Sequence, residues 1–382
     1  MKKLVYVILL FCSVQIWSQA DIVEVGNLPQ QIFETSGLLS YNGKLITHND
    51  SGNAPELYEL DITTLQITRT VSIANVVNID WEDLAQDENY IYIGDFGNNT
   101  GDRQDLNILK ILKSDYDNSD SVTAEIINFL YEDQTDFTSS EDSDFDAEGF
   151  FSLGDNLIIL TKQWQQNGTV AYKVPKLSGA FLAERLDSYQ VNGLVTGATY
   201  NQNTNQLSIV GYSQFLFPFY VLVDDVQENA IFEGEKTKTN LNIGQAQVEA
   251  ITLVGAEQFY ISSEDFSNPP LVNSLSRLFT FSLDSEEEEN PPGEENPEGE
   301  NTPDEELVVY KTFGSQSLNY SLITNRAVTG MGVFDVTGRM VTYIPLERIS
   351  TDPIDISSFN QSIYYLTFFL IDDAISVPFF RD

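Results

Sequence analysis

The sequence predicts an all-β protein: a β-propeller of five blades, possibly six, followed by a small C-terminal β-sandwich. One strand-turn-strand pattern occurs five times, further strand-like runs follow each copy, and scarcely any segment has helical periodicity. Six blades are the alternative if the long step between the second and third copies holds a degenerate blade. A tandem of β-sandwiches is the structural rival, but it would not require five copies of one pattern.

The first twenty residues predict a secretory signal peptide. Two lysines precede an apolar stretch from Leu4 to Phe11, and Ser18-Gln19-Ala20 is a small-x-small cleavage site. The stretch is too short for a membrane span. The alternative is a lipoprotein acylated at Cys12, the single cysteine, although such signals carry a small residue where Phe11 stands. We expect residues 1–20 to be removed and the protein to be secreted or displayed at the cell surface.

Residues 21–283 carry the internal repeat and form the predicted propeller. The five copies begin at Glu34, Asp80, Asp146, Thr196 and Gln247. With the runs that follow, most copies contain four short strands at a spacing of roughly fifty residues, which is typical of propeller blades. The fifth copy has three, so the strand that begins at Asp21 is expected to complete it and close the ring.

Aligned positions of the repeat predict where side chains meet. The innermost strand of each blade lines the central channel, and the residues that open it are Ser36, Glu82, Glu148, Gly197 and Glu249. Carboxylates brought together in a channel repel one another unless a cation or shared protons compensate. We therefore hypothesise a Ca²⁺ site with Glu82, Glu148 and Glu249 as ligands, because calcium prefers oxygen donors.

A second set of polar residues ends the second strand of three copies. The three segments share the pattern Asp-x-small-Asn and are Asp50-Ser-Gly-Asn53, Asp95-Phe-Gly-Asn98 and Asp265-Phe-Ser-Asn268. Asp and Asn beside a small residue are typical of tight turns, in which their side chains bond to the backbone. Contact with a ligand or substrate is the alternative interpretation.

His48, the single histidine, is a candidate catalytic residue. With Asp50 two residues on, it is a candidate general base or nucleophile. The alternative interpretation is a histidine of the core or the surface without a catalytic role. Trp81 and Trp164 flank two of the copies and are read either as a stacking platform for a ligand or as packing residues.

The glutamate-bearing segments also resemble known families. Trp81-Glu82-Asp83-Leu84 and Ala147-Glu148-Gly149-Phe150, each followed by a turn and an Ile-rich strand, resemble calcium-binding propellers of the gluconolactonase, SdiA-regulated and esterase-like phytase kinds. The resemblance implies that Glu82, Glu148 and Glu249 bind a central calcium. Those families mostly have six blades.

Residues 284–306 predict an extended, disordered linker. The segment holds twelve acidic residues and four prolines, with no basic, aliphatic or aromatic residue. Such a composition cannot offset the entropy of ordering the chain, and its charges repel. It separates the propeller from residues 307–382.

Residues 307–382 alternate apolar and polar positions around turns, which suits a small β-sandwich. Val333-FDVTGRMV and Ile354-DISSFNQSIYYLTFF resemble the type A sorting domain of type IX secretion. The resemblance implies recognition by the type IX secretion machinery, with removal on export as an open question. A generic adhesive or carbohydrate-binding sandwich is the alternative.

Charge and cysteine content exclude several functions. A net charge of −39 argues against nucleic-acid binding, and one cysteine cannot form an intrachain disulfide. Neither a transmembrane segment nor a nucleic-acid partner is expected. Two functional hypotheses follow: a secreted propeller that binds an unidentified ligand or partner with calcium as a structural ion, or a calcium-dependent hydrolase of phosphoesters, esters or lactones.

Overall fold

The computed structural model describes residues 22–282, except 215, 257 and 269–271, and residues 306–381, except 311–315, 325–327, 336–338, 346–352, 361 and 371–373. The predicted signal peptide and the predicted linker up to residue 305 lie outside the described residues. The chain divides into two compact units, Met1–Glu287 and Glu288–Asp382. Among the described residues, no helix has the length and apolar character of a membrane span.

The larger unit is an all-β, propeller-like fold in which consecutive strands form antiparallel sheets. We number the repeats in chain order. Repeat 1 contains β2 (Thr35–Tyr41), β3 (Lys44–Asn49), β4 (Glu56–Leu60) and β5 (Ile67–Ile73); repeat 2 contains β6 (Trp81–Gln86), β7 (Tyr90–Asp95), β8 (Asn107–Leu112) and β10 (Glu125–Tyr131). Repeat 3 contains β11 (Asp146–Leu153), β12 (Asn156–Lys162), β13 (Thr169–Pro175) and β14 (Gly179–Tyr189); repeat 4 contains β15 (Leu194–Asn201), β16 (Gln206–Tyr212), β17 (Pro218–Val223) and β18 (Lys236–Asn240). Repeat 5 contains β19 (Val248–Val254), β20 (Gln258–Ser263) and β23 (Arg277–Ser282).

The fourth strand of repeat 5 comes from the beginning of the chain. Strand β1 (Val23–Asn27) pairs antiparallel with β23, with Val23 opposite Thr280. This pairing confirms the expected closure by the N-terminal strand. It also covers an edge of β23 that would otherwise expose unpaired backbone groups.

The remaining elements lie between repeats or extend a sheet. The 3-10 helix η1 (Gln30–Ile32) leads from β1 into β2, and helix α1 (Lys113–Asn118) follows β8. Strand β9 (Ser121–Val122) pairs in parallel with β5, and β10 pairs in parallel with β14, which joins repeats 2 and 3 into an eight-stranded sheet. Strands β21 (Phe266–Asn268) and β22 (Val272–Ser274) form a hairpin.

Apolar cores fill the spaces between successive repeats. The inner strands are buried on both faces, as in β12, where Leu157 to Leu160 have no exposed surface. One core packs Ile46 of repeat 1 against Ile91 of repeat 2, and the last packs Leu278 of repeat 5 against Leu45 of repeat 1. The first strands also contact one another in the order β2, β6, β11, β15, β19 and back to β2. They therefore enclose a central channel and run in the same direction along it.

The smaller unit consists of two antiparallel sheets around one apolar core. One sheet has the order β24 (Glu306–Tyr310), β25 (Ser317–Ile323), β28 (Ile354–Asp355), and the other has the order β27 (Met340–Pro345), β26 (Val328–Asp335), β29 (Ser362–Leu370), β30 (Ala374–Arg381). Asp335 and Asp355, which belong to the two sequence motifs of this unit, each bond to a residue close by in sequence. Asp335 accepts hydrogen bonds from the backbone N–H and Nε of Arg339 at 3.1 and 3.2 Å, and Asp355 accepts from the backbone N–H of Ser357 at 2.9 Å.

Candidate metal centre

A β-bulge marks the beginning of every first strand. The pairing register with the second strand shifts between Ser36 and Leu38, Trp81 and Leu84, Ala147 and Gly149, Val195 and Gly197, and Val248 and Ala250. A bulge leaves its extra residue out of the ladder and redirects its side chain. The extra residues include all three predicted glutamates, Glu82, Glu148 and Glu249. In repeats 1 and 4 the equivalent residues are Gly37 and Thr196, one position from those that the sequence alignment chose.

Two overlapping groups of carboxylates form at this end of the channel. One contains Asp50, Asp80 and Glu82, the other Glu82, Asp146 and Glu148; the oxygen atoms within each group lie within 4.8 Å of one another. Glu82 and Glu148, predicted as ligands from the sequence, are thus brought together, and Glu82 belongs to both groups. We use the name acidic cluster for these five residues with Glu249 and Glu264, which interact with them electrostatically.

Neighbouring side chains hold part of the acidic cluster in place. Asp146 accepts hydrogen bonds from the backbone N–H of Asn98 at 2.6 Å and from Trp164 Nε1 at 2.8 Å. The Nζ atom of Lys162 lies 2.8 Å from Glu148 Oε1, in an ion pair that is almost fully buried. Lys162 also lies 4.6 Å from the centre of the Trp164 ring. One oxygen of Glu148 is therefore paired with a buried cation.

Burial and mutual repulsion make the cluster costly to ionise. Burial, followed by repulsion from Asp50, raises the pKa of Asp80 to about 7. Burial raises the pKa of Glu249 to about 7, although Lys162 opposes the shift. Burial and the nearby Glu249 raise the pKa of Glu264 to about 9.

The pKa values of other members move in the same direction. Burial raises the pKa of Asp50 to about 6. The pKa of Glu82 is raised well above its ordinary value by burial and then by Glu148. Burial likewise raises the pKa of Glu148, against the attraction of Lys162. These carboxylates favour either shared protons or a bound cation.

Gly97 makes room beside the carboxylates. A Cβ atom at this position would lie 2.1 Å from Glu82 Oε1 and 2.4 Å from Asp80 Oδ2. Any larger residue would therefore displace the two side chains. Gly97 also provides a carbonyl oxygen, which accepts a hydrogen bond from Arg103 Nη1 at 2.8 Å.

The second predicted set divides between the cluster and the turns. Asp50 joins the acidic cluster, and Asn53 donates to Glu34 Oε2 at 2.6 Å and to the Asp50 carbonyl at 3.1 Å. Asp95 is buried in an ion pair with Arg103 at 3.0 Å. Asn98 accepts the backbone N–H of Arg103 at 3.0 Å, as expected of a turn residue.

The third segment of that set lies in repeat 5. The backbone N–H of Asp265 donates to the carbonyl oxygen of Phe33 at 2.7 Å. The side chain of Asn268 lies outside the described residues.

His48 and Trp81 lie together inside the protein. Both are 0% exposed, and their rings meet edge to face with centres 5.5 Å apart. His48 Nδ1 lies 3.0 Å from the carbonyl oxygen of Asn49, and burial lowers its pKa to about 4. The imidazole is therefore neutral at physiological pH. Its predicted catalytic role stays a prediction.

Four members of the site were missed from the sequence: Asp80, Asp146, Lys162 and Glu264. A signal for the first two was present, since Asp80-Trp-Glu82 and Asp146-Ala-Glu148 share the pattern Asp-x-Glu. Residues two apart on a strand point to the same face. Glu264 also had a signal, since it follows the second strand of repeat 5 as Asp50 follows that of repeat 1. Lys162 carries no comparable repeat signal.

Comparison with known proteins identifies no family. No family model and no curated protein match this sequence. Among solved structures, the chain is similar to hydrazine synthase of Kuenenia stuttgartiensis, with 9% identity, a TM-score of 0.33, and coverage of 89% of this chain and 78% of that one. It is similar to a putative 6-phosphogluconolactonase of Bacteroides uniformis, with 10% identity, a TM-score of 0.35, and coverage of 86% and 88%. It is also similar to a putative oxidoreductase (glucose dehydrogenase) of Thermus thermophilus, with 10% identity, a TM-score of 0.39, and coverage of 69% and 99%. Likenesses of this size carry no argument about activity.

Proposed function

We propose that this chain is a secreted or cell-surface β-propeller of five blades that binds Ca²⁺ at one end of its channel and uses that face to bind a ligand or partner. The blade count is supported by the five repeats and by the contact of β19 with β2, which completes the circle of first strands. Calcium is supported by one observation above all: two groups of three carboxylates that share Glu82.

The donor set fits calcium better than a transition metal. Calcium takes six to eight oxygen ligands at about 2.3–2.6 Å, in flexible geometry. The carboxylate oxygens of each group lie within 4.8 Å of one another, which is close enough for one calcium ion to contact all three. Gly97 leaves space beside Glu82 and Asp80. Imidazole and thiolate, which zinc and copper prefer, are missing from both carboxylate groups among the described residues. A bound cation would offset the mutual repulsion that, after burial, raises the pKa values of these acids.

Metal content tests this proposal. The purified chain from residue 21 onward should contain calcium by mass spectrometry, and a chelator should lower its melting temperature. Glu82→Gln, in the residue shared by both groups, should lose calcium, whereas Glu88→Gln, an exposed residue in the turn after β6, should keep it. Absence of bound calcium, with a melting temperature unchanged by chelator, would reject the site; circular dichroism checks that E82Q folds.

A calcium-dependent hydrolase is the second candidate. The observation in its favour is that Asp80 and Glu249 have pKa values of about 7, near the optimum for a general acid or base at neutral pH. A calcium ion beside them would polarise a phosphoryl or carbonyl oxygen. Phosphate esters, esters and lactones should be screened with wild type, Glu148→Gln and Glu88→Gln. Turnover that E148Q alone abolishes favours the hydrolase, and no turnover in any class favours the binding protein.

We also propose export through the type IX secretion machinery, with residues 307–382 as the sorting domain. The support is the pair of sequence motifs around Asp335 and Asp355. Deletion of residues 307–382 should retain the protein in the periplasm. A matched control replaces residues 284–306 by a neutral Gly/Ser linker of the same length, which should leave export intact. Continued export of the deletion variant would exclude this role.

A further inference from the structure

A second cavity lies at the other end of the channel. It has a volume of about 350 Å³ and is lined by residues from the second halves of the first strands of all five repeats, from Leu39 in β2 to Leu253 in β19. Apart from Asp87, its polar lining side chains are amides and hydroxyls, so we call it the amide pocket. Its polar lining residues include Gln86, Ser152, Thr199, Tyr200, Gln202 and Thr252.

The amide pocket is separate from the acidic cluster. The first strands run in one direction along the channel, and the cluster glutamates lie at their beginnings while the second halves of the strands line the pocket. Between the two, the buried Asp83 accepts backbone N–H groups of Phe150 at 3.1 Å and Ala198 at 3.2 Å. Phe150 and Ala198 themselves line the pocket, so Asp83 lies beneath its floor. A ligand of the pocket would therefore not touch the metal centre.

The pocket offers no free charge to a ligand. Among its described lining residues, Asp87 is the single carboxylate, and no lysine, arginine or histidine is present. Asp87 is already paired with Lys176 Nζ at 3.1 Å and with the Tyr92 hydroxyl at 2.7 Å. An anion would find no cation here, and a cation would find no unpaired carboxylate. The ligand is expected to be neutral.

Part of the polar lining is rigid. Gln86 donates from Nε2 to the Ser40 carbonyl at 2.8 Å and accepts Lys113 Nζ at 2.8 Å. Thr252 Oγ1 accepts the backbone N–H of Ser40 at 3.1 Å. These bonds fix the wall formed by repeats 1, 2 and 5.

The opposite wall, formed by repeats 3 and 4, carries polar side chains that are available to a ligand. Among the described residues, the side chains of Thr199 and Gln202 form no hydrogen bond within the protein, and the ring centre of Tyr200 lies 5.6 Å from that of Phe151. Amides and hydroxyls both donate and accept hydrogen bonds, as hydroxyl groups of a ligand require. An aromatic ring with an apolar floor accommodates the C–H face of a ligand. Ligand pockets begin at about 300 Å³, so this one suits a small molecule.

We infer that the amide pocket binds a neutral saccharide through a single sugar ring. Its hydroxyl groups bond to Thr199, Ser152 and the amide of Gln202, and one face of the ring lies against Tyr200 and the apolar floor. Charge selects against sugar phosphates and uronic acids. Binding is independent of calcium, because the metal centre lies beyond Asp83.

Titration of the chain from residue 21 to 382 with D-glucose, D-galactose, D-mannose and N-acetyl-D-glucosamine tests the inference, by calorimetry and saturation-transfer NMR. At least one sugar should bind saturably, with the same affinity in calcium and in chelator. Gln202→Trp should fill the mouth and weaken binding at least about tenfold, and Thr199→Val should weaken it about threefold to tenfold through loss of one hydrogen bond. Gln66→Trp, at an exposed glutamine in the turn before β5, is the matched control and should bind as wild type does.

Three results would overturn the inference. The first is no binding by any of the four sugars. The second is an equal loss of sugar affinity in Q202W and in the control Q66W, which would mean that the sugar binds nonspecifically. The third is binding that disappears with chelator, which would assign the sugar to the metal centre and leave the calcium proposal standing.

Discussion

Replacement of Asp83 by alanine should destabilise the larger unit strongly. The Asp83 carboxylate is fully buried and accepts three backbone N–H groups, from Leu84 at 2.8 Å, Phe150 at 3.1 Å and Ala198 at 3.2 Å. It thereby links repeat 2 to repeats 3 and 4. Alanine would leave the N–H groups of Phe150 and Ala198 buried without an acceptor. Each such group costs about 1–3 kcal/mol, so we expect a loss of about 2–6 kcal/mol.

Tryptophan fluorescence during urea unfolding measures this loss in the unit concerned. After removal of residues 1–20, Trp81 and Trp164 are the two tryptophans of the chain, and both belong to the larger unit. Asp155→Ala, at an exposed residue in the turn after β11, is the control and should change the free energy of unfolding by less than about 0.5 kcal/mol. If D83A unfolds at the same urea concentration as D155A, the carboxylate does not join the repeats as described.

Further predictions concern the acidic cluster. In chelator, the free energy of unfolding should fall by at least about 3 kcal/mol as the pH rises from 4 to 8. The Glu249 carboxyl alone contributes about that much, because its pKa is about 7 when folded and near 4.5 when unfolded, and the raised pKa values of Asp50 and Asp80 act in the same direction. The folded chain holds these protons more tightly, so stability present at low pH is lost as the pH rises through the folded pKa values, and calcium should flatten the pH profile of urea unfolding. Lys162→Met should destabilise the calcium-free protein by about 3–5 kcal/mol, because it leaves Glu148 buried without its partner. The same variant should bind calcium about tenfold more tightly in a chelator competition assay, because the site becomes more negative; weaker binding would place Lys162 outside the electrostatics of the centre. Gly97→Ala should weaken calcium binding about tenfold, since its Cβ would lie 2.1 Å from Glu82 Oε1. Unchanged affinity would show that Glu82 is not a ligand.

Local patterning was enough to predict the repeats, the all-β class and the closing strand. Apolar runs such as Leu157-Ile-Ile-Leu160 are long enough to be buried on both faces, and they return with similar flanking residues in each copy. Chain order then determines which strands pair, because consecutive antiparallel strands need only short turns. The convergence of Glu82 and Glu148 followed from the same periodicity.

The tertiary structure alone decided the composition of the acidic cluster and the existence of the amide pocket. Lys162 ends the second strand of repeat 3 and Glu264 follows that of repeat 5, and they approach the glutamates because bulges in the first strands shift the pairing register by one residue. A one-residue bulge leaves no mark in a hydrophobic pattern, since it depends on how the strands pack around the channel. The amide pocket likewise depends on tertiary contacts, because Gln86, Ser152 and Gln202 are far apart in sequence and come together only when the first strands surround the channel. Periodicity in the sequence thus determined the repeats, and closure of the ring decided which of their polar residues form a site.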